Sequence, residues 1–144
     1  MEEKNYKINR PGEVIFPELC FEIMKVLFEV HSDLGGRYQE KYYQRAVALG
    51  FEKEGIKYSR ELCVPLKYNN QIIGKYFLDF LVENKVVVEL KTVTEFVHDD
   101  VRQVLSYLKV NNLPLGILVN FRGKSLTYKR IINEIKDKAN IIRK

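Results

Sequence analysis

Residues 77–91 read FLDFLVENKVVVELK, and the fold follows from how that stretch is parsed. Apolar branched residues dominate it, and Glu83-Asn84 interrupts it in the middle as a bend between two strands. In a strand, successive side chains point to opposite faces, so Leu78, Phe80 and Val82 share one face and Val86, Val88 and Leu90 can share it too. That face is wholly apolar. The opposite face carries Phe77, Asp79 and Leu81 on the first strand and Val87, Glu89 and Lys91 on the second. With residues 83–85 as a three-residue loop, Asp79 lies directly opposite Glu89.

Two like charges facing each other in strands this hydrophobic are destabilising unless a proton or a cation neutralises them. A hard divalent cation such as Mg²⁺ takes carboxylate and water oxygens, which two acidic side chains about 5 Å apart can supply. Lys91, two residues beyond Glu89 on the same face, adds a positive charge that can position water or stabilise charge on a phosphate. The plainer alternative is a structural salt bridge from Lys91 to one carboxylate, the other reaching solvent at a strand end.

Upstream, Val64, Leu66 and Tyr68 alternate with polar neighbours from Leu62 onward, and Asn69-Asn70 suits a tight turn. A second strand then spans Gln71 to Val82, with a kink at Gly74, and a third spans Lys85 to Lys91, completing an antiparallel meander. Earlier still, Leu19, Ile23, Val26, Leu27, Val30 and Leu34 have helical spacing from Pro17 to Leu34. Gly35-Gly36 breaks that helix, and a second runs from Tyr38 to Glu54, with Gly55 placed to end it.

Downstream, Val101, Val104, Leu105 and Leu108 stripe a helix from His98 to Asn111, with Pro114 beyond its end. The segment LGILVNF, 115–121, reads as a buried strand reached by a parallel crossover. Thr127 to Arg143 reads as a last amphipathic helix that buries Ile131, Ile132, Ile135 and Ala139. The expected fold is α/β: a mixed central β-sheet, an antiparallel meander plus a parallel strand, flanked by helices. One domain spans 1–144, with 1–16 as a polar lead-in.

A chain of 144 residues with 46% hydrophobic and 30% charged residues suits one packed globular domain and excludes disordered and fibrous classes. Cys20 and Cys63 stand far apart, without a CxxC or a nearby histidine to complete a zinc site, and are expected to be buried free thiols. His31 and His98 are isolated, with no partner arrangement that makes either a catalytic base. No apolar run approaches the roughly 20 residues of a membrane span, and MEEKNYKINR lacks a signal h-region, so no membrane role and a cytoplasmic location are expected. The net charge of +5 is uneven. Arg122 to Lys144 holds eight lysines and arginines against Glu134 and Asp137, a basic segment suited either to phosphates or to solvent.

An Asp followed ten residues later by E-x-K across a hairpin, as Asp79, Glu89 and Lys91 stand, resembles the core of the PD-(D/E)XK nuclease superfamily. More closely, the chain resembles the small GxxExxY proteins placed in it. The similarity runs from Leu19 to Asn133 through EVHSDLGG, GRYQEKYY, GKYFLDFLVENKVVVELK, QVLSYL and LGILVNF. Glu40 and Tyr43 match the ExxY, while Arg37 occupies the expected glycine position and Gly36 precedes it. Leu78 stands where the superfamily's name has proline. Gln103 and Tyr107 resemble the QxxxY element of exonuclease-like branches.

The resemblance implies a restriction-endonuclease-like core and metal-dependent hydrolysis of nucleic acid, DNA before RNA. Glu40, Asp79, Glu89 and Lys91 would be catalytic. Asp79, Glu89 and the carbonyl of Leu90 would bind Mg²⁺ or Mn²⁺, and Tyr43, Gln103 and Tyr107 would bind substrate or support the site. Glu40, Tyr43 and Val47 fall on one helical stripe, which independently directs Glu40 toward the sheet. The alternative function is a nuclease-fold module that binds nucleic acid or a protein partner without cleaving; monomer and homodimer both stay open.

Overall fold

The computed structural model describes residues 15–134. Its elements run α1 (Pro17–Leu34), α2 (Glu40–Lys53), β1 (Tyr58–Tyr68), β2 (Gln71–Val82), β3 (Val86–Lys91), α3 (His98–Asn111), β4 (Leu115–Asn120) and β5 (Thr127–Ile132). The five strands lie side by side in sequence order. Every neighbouring pair is antiparallel except β3 and β4, which are parallel because α3 carries the chain back across the sheet. Strands β3 and β4, buried along almost their whole length, are covered on both faces, which is why their sequences are apolar runs instead of alternations.

Helices α1 and α2 pack on one face over Phe80, Val82, Val86, Val88, Leu90, Ile117 and Val119. Helix α3 packs on the other, over Leu62, Leu78, Val87, Leu118 and Ile131. It lies close to β4: a Cβ on Gly116 would fall 2.5 Å from Val104 Cγ1, so any larger residue there would have to displace the Val104 side chain.

The meander follows the expected register. Asn69 and Asn70, at φ 50° and 62°, make the first turn, and Glu83 and Asn84, at φ 53° and 56°, make the second, closed by the Lys85 N–H to the Val82 carbonyl at 2.9 Å. Val82 pairs with Val86, Leu81 with Val87 and Phe80 with Val88. Strand β1 begins at Tyr58, ahead of the expected Leu62. The irregularity expected at Gly74 is a bulge: Leu66 pairs with Gly74 but Lys67 with Ile72, leaving Ile73 unpaired.

Three expectations are corrected. The segment from Thr127 is strand β5, not a helix: Ile131 packs under α3 while Ile132 joins the opposite cluster, the two-residue period of a strand. Ile135 and Ala139, assigned to that helix, lie outside the described residues. Leu78 does not share a face with Phe80 and Val82, because it packs with Leu62 and Val64 under α3. The alternation slips at Asp79, beside Glu61, whose φ of 57° breaks the run of extended backbone in β1. Finally, Cys20 is buried but Cys63 is exposed on the ribbon formed by β1 and β2. Among the described residues no helix is long and apolar enough to cross a membrane.

Candidate active site

The β2–β3 ladder ends at Phe80 and Val88, and side chains take over from there. The Asp79 backbone N–H donates to Glu89 Oε1 at 2.9 Å, and the Leu90 N–H donates to Asp79 Oδ2 at 2.8 Å. Each carboxylate thus satisfies a backbone donor that the parting strands leave free. Gln44, one turn into α2, donates from Nε2 to Asp79 Oδ1 at 2.7 Å and to Glu40 Oε2 at 3.3 Å. Lys91 Nζ stands 3.5 Å from Glu89 Oε2 and 3.6 Å from Asp100 Oδ1. Asp100 also accepts the Val97 N–H at 2.9 Å, so one carboxylate both caps α3 and ties it to Lys91.

Glu40, Gln44, Asp79, Glu89, Lys91 and Gln103 line one cavity of about 470 Å³, with Arg60, Glu61, Tyr76 and Phe77 on its ribbon side. Glu89 is only 4% exposed. Burial, and then the Asp79 charge, push its carboxyl up to about 9, against the opposing pull of Lys91. Burial also raises Asp79, opposed by the Leu90 N–H, Glu89, Lys91 and Arg60. Glu40 is raised by burial and by Asp79, against Lys91 and the Thr92 backbone. Burial works to lower Lys91, but Glu89, Asp100 and Glu40 outweigh it and hold the ammonium above its ordinary value.

This is a set of oxygen donors held together against their mutual repulsion, which fits a hard divalent cation better than any soft one. Among the described residues, no three His, Cys, Asp or Glu side chains converge as a finished metal cage. Mg²⁺ does not demand one, since it is usually held by one or two carboxylates with waters and substrate phosphates.

The structure therefore gathers Glu40, Asp79, Glu89, Lys91 and Gln103 around one space, while Leu90 reaches the site only through its N–H bond to Asp79, its side chain lying in the core. It does not bring Tyr43 or Tyr107 there. Tyr43 is fully buried, stacked on Phe121 at 4.6 Å. Its hydroxyl donates to the Gly35 carbonyl and accepts the Tyr38 N–H. Tyr107 packs against the cluster beneath α3. Gln44 and Asp100 were not singled out from the sequence. Gln44 had a faint signal, standing one turn after Glu40 on the same helical face.

A mixed sheet with helices on both faces, and with carboxylates and a lysine where its central strands part, is the architecture of a restriction-endonuclease-like α/β protein. The family model of the PD-(D/E)XK nuclease superfamily matches residues 17–132, and the chain belongs to that superfamily. Its members are mostly nucleases and generally use divalent metals such as Mg²⁺. A solved structure titled "Crystal structure of SSO0001" is 20% identical over 90% of this chain and 83% of that one, with a TM-score of 0.42. No curated protein matches the chain.

Proposed function

We propose that this chain folds as one domain and is a metal-dependent nuclease of the GxxExxY type that hydrolyses phosphodiester bonds, with DNA the first substrate to test, and that it works in the cytoplasm. The observation that carries the reading is the buried Asp79–Glu89 pair, held by reciprocal bonds to each other's strand at 2.9 and 2.8 Å beside Lys91. A purely structural pair has no reason to keep two carboxylates together at such electrostatic cost while opening onto a cavity.

Asp79, Glu89 and the Leu90 carbonyl would hold Mg²⁺ or Mn²⁺. When bound, the ion supplies Lewis acidity to a phosphoryl oxygen and to water. Gln44 holds the Asp79 carboxylate in orientation, and Glu40 adds a third acidic group across the cavity. Lys91, kept charged by its carboxylate neighbours, orients the attacking water or stabilises negative charge on the phosphate. Gln103 borders the space that a nucleotide would fill.

The test begins with cleavage of single- and double-stranded DNA and RNA in Mg²⁺ or Mn²⁺, which chelation should abolish. Lys91→Ala should fold, retain metal affinity and lose at least ~10²-fold in rate, the scale of a positioned catalytic group. Inactivity of the wild type on all these substrates would make a non-cleaving binding module the better reading. Full activity of Lys91→Ala would remove this site while leaving the activity to be explained.

A further inference from the structure

The acidic cavity borders a surface of opposite character. The loop after α1 and the loop between β4 and β5 meet backbone to backbone: the Gly123 N–H donates to the Gly36 carbonyl at 3.3 Å. A Cβ on Gly36 would fall 2.0 Å from the Gly123 oxygen. Two hollows, of about 430 Å³ and about 580 Å³, share Gly36 in their linings. Arg37 lines both, Arg122 lines the first and Lys124 the second, and no Asp or Glu lines either. The three cations are exposed, and among the described residues no carboxylate pairs with them.

These charges are tied to the cavity through short chain connections. Thr92, which follows Lys91, lines the first hollow together with Gln39, which precedes Glu40. Buried Asn120 ties the segment after β3 to the loop between β4 and β5. Its Oδ1 accepts the N–H groups of Val93 and Arg122, each at 3.1 Å, and its Nδ2 donates to the Val93 carbonyl at 2.8 Å. The Tyr43 hydroxyl pins Gly35 and Tyr38 on either side of Arg37, and His31 Nε2 stands 3.0 Å from the Gly123 carbonyl.

Guanidinium groups that meet no carboxylate among the described residues, over a floor of bare backbone, suit an extended polyanion: arginine meets phosphate oxygens bidentately, and the glycines let a backbone approach. We propose that this groove seats the sugar–phosphate backbone of a nucleic-acid strand on one side of the bond presented to Asp79, Glu89 and Lys91. Arg37 and Arg122 bind its phosphates, and half-exposed Tyr38 offers a face for a base. The proposal rests on the nuclease reading for its direction but is tested by binding.

In an Asp79→Asn parent, which should not cleave, the affinity for labelled single- and double-stranded DNA and RNA is measured by anisotropy across a salt series. Adding Arg37→Ala and Arg122→Ala should weaken binding about tenfold and flatten the log–log salt slope by roughly one to two. Removing two other exposed charges, Lys53→Ala and Lys109→Ala, should do much less. Equal losses from both pairs, an unchanged slope, or no binding by the parent would overturn the proposal, as would competition by polyglutamate as strong as that by oligonucleotide. Wild-type cleavage, assayed in parallel, separates the readings. A cleaving enzyme whose binding ignores the arginines sinks the groove alone, and arginine-dependent binding without cleavage sinks the nuclease alone.

Discussion

The acidic cavity and the basic groove are separated along the chain by only Lys91-Thr92 on one side and Gln39-Glu40 on the other, yet they hold charge under opposite conditions. In the cavity, carboxylates are buried, share donors and are pushed toward their neutral forms. In the groove, cations are exposed and solvated. Burial makes the first region responsive to protons and metal ions. Exposure leaves the second responsive to salt and to polyanions. Chemistry and affinity should therefore respond to different substitutions.

That separation gives the largest expected effect. Asp79→Asn should lower kcat by at least ~10²-fold with little change in KM, whereas the paired Arg37→Ala and Arg122→Ala change should raise KM and leave kcat nearly intact. Steady-state kinetics on one oligonucleotide checks both. A groove variant that loses kcat alone would show that the two regions act as one.

The proton response of the cavity comes next. Glu89 holds its proton up to about 9 when folded, against an ordinary 4.5, so between those values the native state binds a proton that the unfolded chain has released. Its contribution to stability is fully present below about pH 4.5 and is lost as pH rises toward 9. In chelator, the thermal midpoint should fall by roughly 10 °C from about pH 5 to about pH 9. Glu89→Gln, which keeps an acceptor for the Asp79 N–H, should flatten that fall, and Mg²⁺ should oppose it by binding the ionised pair. An identical pH profile in Glu89→Gln would place the proton elsewhere.

The groove's floor is sensitive to volume instead. Gly36→Ala puts a methyl group where the Gly123 backbone stands, 2.0 Å from its oxygen, and backbone cannot yield as a side-chain tip can. A loss of about 1–3 kcal/mol in chemical denaturation is expected. No measurable loss would mean that the two loops part easily.

Much of this was legible in the sequence because strand period and turn chemistry act locally. The Asn69-Asn70 and Glu83-Asn84 turns set the meander's register, and the apolar stripe of α3 implied the parallel strand after it. The failures have long-range causes. Thr127–Ile132 has isoleucines at adjacent positions that fit a helix stripe equally well, and only the open edge of β4 selects a strand. Leu78 changes sides because alternation slips at Asp79 opposite the positive φ of Glu61, which no pattern of apolar residues announces. Among the site residues, Asp79, Glu89 and Lys91 share a motif on adjoining strands. Gln44 and Asp100 reach them only through tertiary packing, from helices whose own sequences do not mark them.

The smallest effect separates the two regions most finely. Tyr43 belongs to the ExxY resemblance alongside Glu40, yet the two side chains serve different places: Glu40 lines the cavity, while the Tyr43 hydroxyl bonds Gly35 and Tyr38 in the loop that carries Arg37. Tyr43→Phe keeps the ring on Phe121 and removes only those bonds. Water can reach this surface loop, so the cost in stability should sit near the usual net value of a hydrogen bond, about 1 kcal/mol. A less firmly held Arg37 should weaken nucleic-acid binding by about two- to threefold while kcat stays the same. The opposite result, intact binding with kcat down tenfold or more, would mean that Tyr43 acts through α2 on Glu40 and Gln44. Its place would then be with the acidic cavity, and the loop's hydrogen bonds would be incidental to binding.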